Sequence, residues 1–114
     1  MSAVRKKSET SGEQLRRMCK DIADGITNPV DNSEHGEDAS VASWMDGVYN
    51  IEWITHQDKT YKAARLLVAG GGPNIWVNLQ TDTVDGYWGT DKYSHGFVDN
   101  IGLEEVCEEI YNGC

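Results

Sequence analysis

The stretch 70-GGGPNIWVNLQTDTVDGYWG-89 decides between a phosphate-cradling loop and a hairpin in a small sheet. A phosphate loop requires glycines that lead directly into a helix, whose first amides then point at the anion. Here Gly70, Gly71, Gly72 and Pro73 lead into NIWVNLQ, where Ile75, Val77 and Leu79 alternate with Asn74, Trp76, Asn78 and Gln80. That period of two is a strand's, and no Walker lysine follows the glycines. The stretch therefore reads as a hairpin, with the glycines as a reversal and Pro73 at a strand's first position, where it forfeits no ladder bond. The segment TDT turns the chain, and Val84, Gly86 and Trp88 rejoin the apolar face. Trp76, Asp85 and Tyr87 fall on the other.

Outward from the hairpin the same period continues. Tyr49, Ile51, Trp53 and Thr55 alternate with Asn50, Glu52 and Ile54, Gln57 to Lys59 form a turn, and 60-TYKAARLLVAG-70 and 92-KYSHGFV-98 complete the sheet. The period changes to 3.6 at both ends of the chain. Leu15, Met18, Cys19, Ile22, Ala23 and Ile26 recur at steps of three and four, with Thr10 or Ser11 as cap and Glu13 or Gln14 in the first turn, which predicts a helix over 11–25 ending near Gly25. A short helix is expected over 39–46. A last helix over 101–111, capped by Asp99 or Asn100, carries Leu103, Val106, Cys107, Ile110 and Tyr111 as one stripe. The expected fold is α+β: a four-stranded antiparallel meander sheet, with an N-terminal helix, a short second helix and a C-terminal helix packed on one face.

A chain of 114 residues is one domain's length. Residues 1–10 read as a flexible basic tail, 11–114 as the domain, and 27–38, with Pro29, Gly36 and scattered Asn and Asp, as a mobile linker within it. No apolar run approaches the roughly 20 residues of a membrane span, and no apolar segment follows the basic start as in a signal peptide. Cys19, Cys107 and Cys114 are odd in number and unpaired in spacing, so a reducing cytoplasm is the expected location.

The net charge of −9 is unevenly distributed: residues 1–20 hold six Lys/Arg against two Glu, and residues 21–114 hold four against seventeen Asp/Glu. A body at −13 repels nucleic acid and attracts cationic surfaces. Glu104 and Glu108, and Glu105 and Glu109, form two like-charge rows four residues apart, each costing a few tenths of a kcal/mol in a helix. All four are expected to face solvent. With Asp82 and Asp85 of the hairpin turn, Asp91 and Asp99, they make a candidate partner-binding acidic face.

Chemistry is poorly represented. His35, His56 and His95 lie in separate segments, and neither they nor the cysteines show the spacing of a zinc site. Asp91 and His95 share a segment, but no nucleophile is placed to use them. No cofactor, no metal site and no catalytic residue is expected. Trp76 and Tyr87 read first as packing beneath a helix. As a base-stacking platform they lack basic flanks, having Asp85 and Asn78 instead.

Residues 70 to 111, with GGPNIWVN, VDGYWG and the acidic LEEVCEEI, resemble small acidic proteins of bacterial phages and conjugative elements, a group that includes anti-CRISPR and antirestriction inhibitors. The resemblance covers about a third of the chain and rests on aromatic and glycine positions. It implies a non-enzymatic inhibitor, located in the host cytoplasm, that occupies the basic nucleic-acid-binding surface of a defence complex such as a CRISPR effector without binding nucleic acid itself. The alternative is a small bacterial regulator or immunity-type protein that binds one enzyme through its aromatic sheet face.

Overall fold

The computed structural model describes residues 10–29 and 39–113. The expected tail and linker fall outside these residues, except for Thr10 and for Thr27 to Pro29. In chain order come α1 (Ser11–Thr27), α2 (Ala39–Asp46), β1 (Asn50–Thr55), β2 (Tyr61–Ala69), β3 (Asn74–Asn78), β4 (Thr83–Trp88), β5 (Asp91–Gly96) and α3 (Leu103–Gly113). The strands form one sheet in the order β1-β2-β3-β4-β5, every neighbouring pair antiparallel. The class is α+β as expected, but the sheet has five strands and not four. The hairpin at 74–88 supplies two of them, divided where Asp82 adopts φ +56°. Aspartate tolerates that left-handed conformation better than most side chains.

Register assigns the faces. Leu66 lies opposite Val77 and Val77 opposite Val84, while Ile75 lies opposite Gly86. These residues are fully or almost fully buried, and with Leu15, Cys19, Ala23, Ile26, Ala64, Leu103 and Cys107 they form one core. Trp53 and Trp88 are partly buried against it, as are Val41, Trp44 and Met45 of α2. α1 packs on β4 and β5, and α3 on β2.

α1 and α3 begin where their caps allow. Thr10 Oγ1 accepts from Glu13 N at 3.1 Å, and Glu13 Oε1 accepts from Thr10 N at 3.0 Å, a reciprocal capping box that starts α1. α1 runs past Gly25 because Ile26 is fully buried, and burying an isoleucine outweighs the roughly 1 kcal/mol a helical glycine costs. Thr27 then ties the helix end to the chain beyond β5: its hydroxyl accepts from Val98 N at 3.0 Å and its carbonyl from Asn100 Nδ2 at 2.6 Å. α3 starts at Leu103 rather than 101, after Gly102 at φ +96°.

Candidate functional site

α3 is built on a single carboxylate. Asp99 Oδ1 accepts from Gly102 N and Leu103 N, and Oδ2 from Glu104 N, each at 2.9 Å. Three amides that the helix itself leaves unpaired are satisfied in this way, and negative charge lies at the positive end of the helix dipole. Leu103 and Cys107 then turn into the core, and burial pushes the Cys107 thiol up to about 11, with the Glu104 and Asp99 charges adding to it.

At the other end of α3, Tyr111 Oη donates to the Lys59 carbonyl at 2.6 Å. Its ring packs 5.3 Å from Trp53 and 5.9 Å from Tyr61, centroid to centroid. This aromatic group pins the helix to the β1–β2 hairpin and fixes the direction in which its glutamates project.

Glu105, Glu108 and Glu109 are exposed, whereas Glu104 is half-buried, so the expectation that all four face solvent fails at Glu104. The buried Tyr61 hydroxyl lies beside the Glu104 carboxylate without a hydrogen bond of full geometry. Burial raises the Glu104 pKa. The Tyr61 contact opposes the shift, while Asp82, Asp99 and Glu108 add to it. The same burial, with the Glu104 charge, raises Tyr61. Neither α3's last turn nor its sequence holds a basic residue. Among the described residues no ion pair reaches any of its glutamates.

The charges of Asp82, Asp99 and Glu108 act on Glu104; Glu105 and Glu109 lie exposed on the same helix, and Asp85 and Asp91 lie elsewhere. Asp85 is not in the hairpin turn but on β4, where it accepts from Ser94 Oγ at 2.8 Å. Asp91 starts β5 and accepts from Ser11 Oγ at 2.7 Å, joining the sheet to the first turn of α1. His95 Nδ1 lies 3.3 Å from Tyr93 Oη, so Asp91 and His95 are engaged separately.

Trp76, Asp85 and Tyr87 share the sheet face opposite the core, as alternation predicts. Trp76 and Tyr87 do not sit beneath a helix, because α1 and α3 both cover the other face. Instead the Arg65 guanidinium lies 4.3 Å over the Trp76 ring, and its Nη1 pairs with Glu52 Oε1 at 2.6 Å. Sequence reasoning missed both partners. Reflection about the Asp58–Lys59 turn places Glu52 opposite Arg65 and would have found the pair.

Among the described residues no three His, Cys, Asp or Glu side chains are grouped to hold a metal ion, and no helix is long and apolar enough to cross a membrane. The chain matches no family model, no curated protein and no solved structure.

Proposed function

We propose that the protein is a non-enzymatic inhibitor whose acidic α3 end occupies a basic, nucleic-acid-binding surface of a bacterial defence or nucleic-acid-processing protein, its carboxylates standing where phosphates would. The observation that carries this is the unneutralised α3: four glutamates, no basic residue in the helix, and a half-buried Glu104 whose pKa is raised by burial and by the acids around it. Glutamates at 108 and 109 gain nothing from the helix dipole, which favours acids only in the first turn. A cationic partner relieves this repulsion on binding, so the cost in the free protein becomes affinity and steering in the complex.

The test is capture from a nuclease-treated bacterial lysate by the tagged wild type and by a variant with Glu104, Glu105, Glu108 and Glu109 changed to Gln. The proposal expects a basic partner retained by the wild type, lost from the variant and released as salt rises from about 50 to 500 mM, over which the Debye length falls from roughly 14 to 4 Å. Equal retention by the variant rejects it.

A second proposal, binding of one enzyme through the aromatic sheet face, draws on the Arg65–Trp76 stack, which among the described residues lies on the face that neither α1 nor α3 covers. It expects salt-insensitive capture that Trp76→Ala abolishes.

A further inference from the structure

The sheet has two edges, and they differ. On β1 the register shifts between Ile54 and Thr55, and Glu52 is exposed; irregularity and charge are devices by which natural sheets blunt an edge. β5 pairs with β4 in unbroken register from Asp91 to Gly96, and among the described residues no segment pairs with its outer side.

The direction of its free groups follows from one bond. Phe97 N donates to the Asp82 carbonyl at 3.0 Å, continuing the β4–β5 register by one residue. Hydrogen-bonded and non-hydrogen-bonded pairs alternate along an antiparallel ladder. His95, Tyr93 and Asp91 therefore also turn their backbone groups toward β4, and Lys92, Ser94 and Gly96 turn theirs outward. All three outward residues are exposed.

We infer that this edge pairs with the β5 edge of a second copy, antiparallel about Ser94, to give one continuous sheet across a two-fold axis. In that register Ser94 meets Ser94 of the second copy, Lys92 meets Gly96, and Tyr93 meets His95. No like charges stand directly opposed. The one edge lysine faces the one residue without a side chain, and on the core side the Tyr93–His95 stack, with centroids 6.2 Å apart, is matched by a second stack across the seam. On the open face each Lys92 lies beside Ser94 of the second copy, whose hydroxyl is bonded to Asp85, so basic and acidic groups alternate along the seam.

Charge favours this edge over the rest of the surface. In a chain of net charge −9, the exposed Lys92 and the Arg16 guanidinium, 5.4 Å from the Tyr93 ring centroid, flank β5, whereas Lys20 is paired with Asp24 at 2.8 Å. Two copies meet here with less repulsion than at α3. Self-pairing is isologous and closed, so it stops at a dimer.

Sedimentation across a dilution series up to about 0.1 mM, with amide exchange at both ends of it, tests the inference on the full chain. A dimer that dissociates on dilution is expected, with the Ser94 and Gly96 amides protected only at high concentration. Ser94→Pro removes an outward N–H that no intramolecular bond uses, so the fold is retained while dimerisation weakens at least about tenfold. A wild type that stays monomeric throughout, or a dimer in which the Ser94 and Gly96 amides exchange freely, overturns the inference whatever the variant does.

Discussion

Gly86 lies directly under Cys19. A Cβ at position 86 would stand 2.5 Å from Cys19 Sγ and 2.7 Å from Leu15 Cδ1, closer than such atoms approach. The missing side chain is what lets α1 sit flush on β4. Gly86→Ala forces the helix away from the sheet and is expected to cost about 1–3 kcal/mol, the range for overpacked cores. Urea denaturation measures it, and an unchanged midpoint would show that the helix yields freely.

Asp99→Ala strips three amides of their acceptor. The expected loss is about 1–2 kcal/mol, as for other helix caps, with Asp99→Asn losing less. Amide exchange should rise first at Gly102, Leu103 and Glu104, and an unchanged exchange pattern there would remove Asp99 from its capping role.

Local chemistry made much of this legible beforehand. Alternation at Ile75, Val77 and Leu79 identified the core face, the Thr10–Glu13 spacing announced α1, and Asp99 announced α3, since all act within a few residues of themselves. The strands themselves were legible, since TDT divides 74–88 into two; with the three other alternating segments that makes five, and the expected four counts the hairpin once. Engagements made over distance were hidden: Asp91 is occupied by Ser11, 80 residues away, and the half-buried Glu104 meets Tyr61 from another element. The candidate acidic face was visible as composition, but only tertiary structure separates its assembled members from Asp85 and Asp91.

Glu104 gives a pH signature. Its folded pKa is raised above the ordinary 4.5, so the neutral form is the one the fold favours. The associated stabilisation is complete below pH 4.5 and is lost as pH rises through the folded value. Glu104→Gln should therefore melt higher than the wild type at pH 7 and equal to it at pH 4. A variant less stable at neutral pH would mean that the carboxylate is needed where it sits.

Cys19 and Cys107 are buried, and burial pushes both thiols up to about 11, helped at Cys19 by Asp85 and at Cys107 by Glu104 and Asp99. Thiolate, not thiol, reacts. In a Cys114→Ser background at pH 8, a thiol reagent should modify both only as fast as the protein opens, and immediate reaction would contradict the packing of α1 and α3.

The proposal that α3 stands in for nucleic acid is tested most directly by displacement. The partner captured by the wild type is loaded with fluorescent nucleic acid, and the protein is titrated in while anisotropy is followed. The account predicts that nucleic acid is released stoichiometrically by the wild type, and not released by the variant with Glu104, Glu105, Glu108 and Glu109 changed to Gln. A stable ternary complex, with nucleic acid and protein bound together, would contradict it.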